Sequence, residues 1–127
     1  MLESTFQGAL RLAVTRELHD RVALWRQPAG KILAKRGGAV EAAPVGAADL
    51  SGILKGSGIR LEIELKMPGK KRSAAQVAWG HTLHAWGAVY LCLTYRKGLS
   101  LELNVEQALL TLELALAARG ESLAHHP

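Results

Sequence analysis

The stretch Ile59-Arg60-Leu61-Glu62-Ile63-Glu64-Leu65-Lys66 alternates apolar and charged side chains without a break. Successive residues of a strand point to opposite faces, so Ile59, Leu61, Ile63 and Leu65 share one face and Arg60, Glu62, Glu64 and Lys66 the other. Just before it, Lys55-Gly56-Ser57-Gly58 is a tight-turn signal, and Asp49-Leu50-Ser51-Gly52-Ile53-Leu54 ahead of that turn reads as a partner strand. Pro68-Gly69 closes the alternating strand. Ser73 is a good N-cap for a helix that runs to about Trp86 and ends at Gly87. The run Ala88-Val-Tyr-Leu-Cys-Leu-Thr94 is then continuously apolar, the pattern of a strand buried on both faces.

Outward from this centre, Phe6, Leu10, Val14 and Leu18 recur every four residues and predict a first helix over 3–18. Val22 and Leu24, then Ile32 and Leu33, flank Pro28-Ala29-Gly30 and read as a hairpin. The Gly/Ala-rich segment 37–46 is a loop or an irregular strand. After a basic turn at 96–98, residues 99–103 alternate as a short strand, and a last helix spans 105–119 with Asn104 as its cap. The predicted order is α-ββββ-α-β-β-α, an α/β or α+β sandwich with one mixed sheet, assigned to the α/β class with helices flanking the sheet.

A chain of 127 residues and 13.6 kDa is one domain's worth, and all of 1–127 is assigned to it. With 49% hydrophobic and 21% charged residues, the disordered, collagenous and coiled-coil classes fall away. The single cysteine, Cys92, has no internal partner for a disulfide, and neither a signal pattern nor an apolar run of membrane-spanning length is present. These features predict an intracellular, cytoplasmic protein. The net charge of +5 is uneven. Residues 21–97 hold thirteen Lys/Arg against four acids, whereas the two ends hold three against seven. A basic middle makes a polyanion the expected partner, nucleic acid first.

Within that basic middle, Asp49, Glu64 and Lys66 stand out. Glu64 and Lys66 project from the same face, and pairing through the 55–58 turn brings Asp49 opposite the end of their strand. A hard divalent cation is held by one or two carboxylates completed by waters and phosphate oxygens. A lysine beside it stabilises charge developing on a phosphate or helps to activate a water. Asp followed by Glu-x-Lys is weak on its own, because alternating Glu and Lys on a strand commonly form cross-strand ion pairs.

Five blocks in order strengthen the site: Trp25-Arg-Gln-Pro-Ala-Gly30, Gly46-Ala-Ala-Asp49-Leu-Ser-Gly-Ile-Leu54, Leu61-Glu-Ile-Glu64-Leu-Lys66, Gly69-Lys-Lys-Arg-Ser73-Ala-Ala-Gln76-Val-Ala-Trp79 and Gly87-Ala-Val-Tyr90. Together with the first helix, this arrangement resembles the VRR-NUC (virus-type replication-repair nuclease) family of the PD-(D/E)XK superfamily, over roughly residues 3–93. The resemblance implies an αβββαβ restriction-endonuclease-like core. It also implies a Mg²⁺- or Mn²⁺-dependent endonuclease acting on branched DNA such as four-way junctions, most simply as a homodimer. Carried over, it makes Asp49 and Glu64 metal ligands, Lys66 the catalytic lysine, Gln76 a helix residue at the site, and Glu3 a further acid from the first helix, with Gln7 one turn on. Ala48 stands where the superfamily motif has proline.

Other groups compete for roles. Glu62 shares the polar face but lacks the Glu-x-Lys spacing. Lys70, Lys71 and Arg72, directly before a helix N-terminus, suit phosphate contact, as do Lys31, Lys35 and Arg36 in the basic middle. His81 and His84 lack a third metal ligand at suitable spacing. Trp25, Trp79 and Trp86 are candidates for base stacking, with Trp79 and Trp86, seven apart, read first as core. Gly56 and Gly58 lack the Gly-Lys-Ser/Thr ending of a phosphate loop. The last helix is apolar nearly all round, which predicts a two-fold homodimer interface.

Overall fold

The computed structural model describes residues 2–27, 31–33, 39–41 and 44–120, and for 31–33 and 39–41 the backbone alone. The elements are α1 (Leu2–Leu18), β1 (Val22–Arg26), β2 (Lys31–Leu33), β3 (Ala39–Glu41), β4 (Leu50–Leu54), β5 (Arg60–Lys66), α2 (Ala74–Ala85), β6 (Val89–Thr94) and α3 (Leu101–Ala118). Four strands form a mixed sheet in the order β1-β4-β5-β6, and β2 pairs with β3 in a separate ribbon. The α/β class and the mixed sheet flanked by helices are as expected from the sequence. No helix among the described residues is long and apolar enough to cross a membrane.

β4 and β5 are antiparallel, with Leu50 opposite Ile63 and Ser51 opposite Glu62. Their turn closes through Gly58 N–H to Leu54 O at 2.8 Å and Leu54 N–H to Ile59 O at 2.8 Å. Gly56 and Gly58 both take positive φ there, a backbone region that glycine enters without steric cost. β5 and β6 are parallel, which requires a crossover, and α2 supplies it.

The apolar face of β5 is the centre of the core. Leu61, Ile63 and Leu65 are buried with Leu50 and Leu54 of β4 and Val89 and Leu93 of β6. Phe6, Leu10, Val14 and Leu18 of α1 close over them together with Ala108, Leu112 and Leu116 of α3. Burying each such side chain contributes roughly 1.5–3 kcal/mol. α2 takes the opposite face: its Gln76 and Trp79 side chains reach Glu64 and Glu62 of β5.

Four sequence expectations are corrected. β1 pairs with β4, not with the segment around Ile32 and Leu33, because β1 residues Val22 and Leu24 find apolar cover against β4 and α1; the expected turn 28–30 lies outside the described residues. β6 is not buried on both faces. It is an edge strand, and Cys92 on its outer face is exposed. Residues 99–103 do not form a strand: α3 begins at Leu101 behind Ser100, whose hydroxyl accepts the Leu103 N–H at 3.1 Å. Asn104 is therefore not a cap but a buried residue of the first helical turns. Its Oδ1 accepts the Arg96 N–H at 2.7 Å, and its Nδ2 donates to the carbonyls of Arg96, Leu99 and Ser100. That set of bonds pins the β6–α3 connection, since a buried amide left unpaired would cost about 1–3 kcal/mol.

Candidate active site

Asp49 directly precedes β4, and its position opposite Glu64 follows from the β4–β5 register. Its Oδ2 accepts the Leu65 N–H at 2.9 Å, so the carboxylate continues the ladder where the β4 backbone turns away. Asp49 O in turn accepts the Gln27 N–H at 2.8 Å, just past the end of β1. Gly46, at φ +84°, lies so close to α2 that a Cβ would strike the Ala75 carbonyl. The loop before Asp49 is thereby held against the first turn of α2, beside Gln76.

Glu64 is 2% exposed. Its Oε2 takes two donors, Lys66 Nζ at 3.2 Å and Gln76 Nε2 at 3.1 Å. Its Oε1 is equally buried and has no hydrogen-bond partner among the described residues. Burial, then the negative charge of Asp49, push the Glu64 carboxyl from 4.5 up to about 7 against the opposing pull of Lys66, and a proton shared with the Asp49 carboxylate adds to the rise.

Gln76 is oriented by the helix start. Ser73 Oγ accepts the Gln76 N–H at 3.1 Å, while Gln76 Oε1 accepts the Ser73 N–H at 2.8 Å, a reciprocal capping box. With its carbonyl oxygen engaged there, the amide presents Nε2 to Glu64. The Ser73-x-x-Gln76 spacing carries this signal in the sequence.

Glu62, two residues before Glu64 on the same face, is fully satisfied. Its Oε1 accepts the Ala48 N–H at 3.1 Å and Trp79 Nε1–H at 2.8 Å, and its Oε2 pairs with Arg60 at 3.2 Å. Arg60 also donates to Ser51 Oγ at 3.1 Å.

The structure thus brings together Asp49, Glu64, Lys66 and Gln76. Glu3 is exposed on the first turn of α1 and does not join them: no three His, Cys, Asp or Glu among the described residues form a group able to hold a metal ion. Gln7 is half-buried on α1. Lys70 and Lys71 are exposed ahead of α2, and the Arg72 guanidinium lies 5.8 Å from the centre of the Tyr90 ring. Lys35 and Arg36, the Lys31 side chain, and His125 and His126 lie outside the described residues. His81 and His84 join no metal-binding group.

Two flanking residues were not anticipated. Tyr90 and Cys92 on β6 stand beside Glu62 and Glu64 in the parallel register and share their face. Burial raises the titration of the Tyr90 phenol, and partial desolvation against the sheet raises that of the otherwise exposed Cys92 thiol. Gly80 makes room for the Tyr90 ring, since a Cβ there would meet it at 2.8 Å. Parallel pairing of the apolar 88–94 run with the charged strand was the available signal.

A hard divalent cation fits this donor set. Two carboxylates lie together, and the orphaned, buried Glu64 Oε1 is a lone pair with no protein donor to serve. With two protein carboxylates, the remaining coordination falls to water and phosphate oxygens, as is usual for Mg²⁺. No protein-family model, no curated protein and no solved structure matches the chain.

Proposed function

We propose that this protein is a divalent-metal-dependent, structure-specific DNA endonuclease of the VRR-NUC type, acting on branched DNA such as four-way junctions. The observation that carries this reading is the buried Glu64, its Oε1 unpartnered beside Asp49 and its Oε2 held by Lys66 and Gln76. A structural ion pair gains nothing from an orphaned oxygen and a second negative charge; a cation site needs both.

Asp49 and Glu64 would hold Mg²⁺ or Mn²⁺, which when bound supplies a Lewis acid for phosphodiester hydrolysis. The protein's own contribution is arrangement. Lys66, with its ammonium against Glu64, is placed to stabilise negative charge developing on a phosphate or to exchange a proton with the attacking water. Gln76 engages Oε2 of Glu64 and leaves the buried Oε1 without a donor. Lys70, Lys71 and Arg72 lie ahead of the α2 N-terminus, where backbone N–H groups and the helix dipole favour phosphate. These contacts hold the DNA backbone without reading bases, which suits recognition of shape.

A homodimer belongs to the same proposal. Leu103, Leu110 and Leu114 are exposed on α3 at spacings of seven and four, a stripe that the monomer leaves uncovered. Two such chains related by a two-fold would set two sites against opposing strands of a junction. The test is cleavage of a labelled four-way junction, a flap and a plain duplex with Mg²⁺ or Mn²⁺, beside Asp49→Ala and Lys66→Ala controls. Preferential junction cleavage lost in both variants is expected. Binding without cleavage of any substrate leaves a DNA-binding module of the same fold, and preferential flap cleavage gives a flap nuclease. Light scattering at micromolar concentration should give the dimer mass.

A further inference from the structure

On the same face as Glu64, at the other end of β5, a cleft of about 530 Å³ opens between the sheet and the C-terminal half of α2. Trp79, Trp86, Leu83, Ile59 and Pro44 form its apolar walls, and Arg60 and Glu62 are its charged groups. Glu62 is spent on three protein donors. Arg60 is fixed by Glu62 and Ser51, but its side chain remains 45% exposed with guanidinium N–H groups to spare.

Trp86 is the anomaly. It caps α2, rests edge-on against Trp79 with ring centres 5.9 Å apart, and is nevertheless 72% exposed. Tryptophan is on average among the more buried residues, and a platform of this size turned to water marks a contact surface. Trp25, 40% exposed, lies on the same sheet face two strands away, since Trp25 is opposite Ser51 and Ser51 opposite Glu62.

We infer that the Trp79–Trp86–Arg60 cleft is a stacking subsite for an unpaired nucleobase of the strand held at the Asp49–Glu64–Lys66 site. The inference rests on the nucleic-acid reading above and deepens it by naming what sort of DNA the site accepts. Three observations select this occupant. The cleft lies on the same sheet face as the candidate site, with buried Glu62 between them, and Glu62 and Glu64 are roughly 7 Å apart along the strand, about the step from one nucleotide to the next. Its available charge is a cation, and a nucleic-acid strand brings anionic phosphates with its bases. Its walls are indoles, which stack on any base, with a planar guanidinium beside them. Fully paired duplex keeps its bases stacked inside; a flap exposes unpaired bases, and a four-way junction does so only where pairs at its branch point are broken, which links this cleft to structure specificity.

The test is binding in EDTA, where no cleavage occurs, of a labelled short oligothymidylate and a labelled duplex, read by anisotropy together with quenching of intrinsic tryptophan fluorescence. Trp86→Ala should weaken single-strand binding roughly tenfold while changing duplex binding little. Trp86→Phe should keep most of the affinity yet lose a large part of the quench, because the reporter ring is gone while a stacking ring remains. Because Trp86 is exposed, both variants should fold. Single-strand affinity unchanged in Trp86→Ala, or a full quench in Trp86→Phe, overturns the inference. So does a Trp86→Ala protein that loses its dimer while binding the oligonucleotide normally, since the cleft then seats a second copy. If Trp86→Ala loses affinity although no DNA is ever cut, the subsite stands and the endonuclease reading fails. If cleavage depends on Asp49 but affinity ignores Trp86, this inference alone fails.

Discussion

Glu62 and Glu64 stand two residues apart on β5, face the same way, and are both almost wholly buried. Glu62 has every oxygen engaged: a backbone N–H, an indole N–H and a guanidinium close around it. Glu64 has one oxygen held and one left over, with Asp49 adding repulsion to the cost of burial. Equal burial therefore carries opposite meanings. Around Glu62 the surroundings have been built to stabilise the carboxylate, whereas around Glu64 they stop short of doing so. On the proposed reading a cation makes that deficit good, and this is what would separate the structural carboxylate from the candidate ligand.

The widest gap between the two should appear in activity. Glu64→Gln, Asp49→Ala and Lys66→Ala are each expected to lower metal-dependent cleavage by at least about a hundredfold, the usual loss when a positioned acid-base or electrostatic group is removed. Glu64→Gln should keep or raise the melting temperature, because it deletes a buried charge beside Asp49. Glu62→Ala should behave in the opposite way. It orphans the Ala48 and Trp79 N–H groups and frees Arg60, a loss of about 3 kcal/mol by urea denaturation. Its cleavage should fall only with the folded fraction. A stable Glu62→Ala protein, or a Glu64→Gln protein that still cuts, breaks the contrast.

Much of the framework is written in local pattern. The four-residue stripe of α1, the 55–58 turn, Ser73 as N-cap and Gly87 as the stop are all set by nearest neighbours, and each lies where the periodicity puts it. Asp49, Glu64 and Lys66 come together because a hairpin register is fixed by its own turn. What local pattern does not carry is long-range pairing. β1 chose β4 over the nearer apolar run, and the alternation at 99–103 served equally as the first turn of a helix once Ser100 capped it. The alternation of β5 likewise places Glu62 and Glu64 on one face without saying which is structural; Trp79, seventeen positions away, decides that. Seven-residue spacing groups Trp79 with Trp86, but only the end of α2 explains why one is sheltered and the other turned outward.

A smaller effect should appear in the pH dependence of the metal-free protein. The Glu64 carboxyl titrates at about 7 in the folded chain against 4.5 ordinarily, so between these values the native state holds a proton that the unfolded chain has released. Native stability attributable to this group is then greatest below pH 4.5 and falls as the pH rises to about 7. The difference is at most about 3 kcal/mol. Urea midpoints measured in EDTA across this range should show the decline in wild type and lose it in Glu64→Gln, while Glu62→Gln should retain it. A wild-type protein whose stability is level across the range would place Glu64 in the same satisfied condition as Glu62.

The smallest difference concerns Ser73, where the scaffold meets the site. Ser73→Ala removes the hydroxyl that accepts the Gln76 N–H, an N-cap loss worth about 1 kcal/mol. The backbone N–H of residue 73 survives the change and still donates to Gln76 Oε1, so the amide should continue to present Nε2 to Glu64. Stability should therefore drop slightly with cleavage nearly unchanged. Gln76→Ala should add to that stability loss a clear fall in cleavage, because Glu64 Oε2 loses the donor that fixes its rotamer. If Ser73→Ala impairs cleavage as much as Gln76→Ala does, the hydroxyl and not the backbone is what orients the amide, and the boundary between scaffold and site lies one residue earlier than the hydrogen bonds place it.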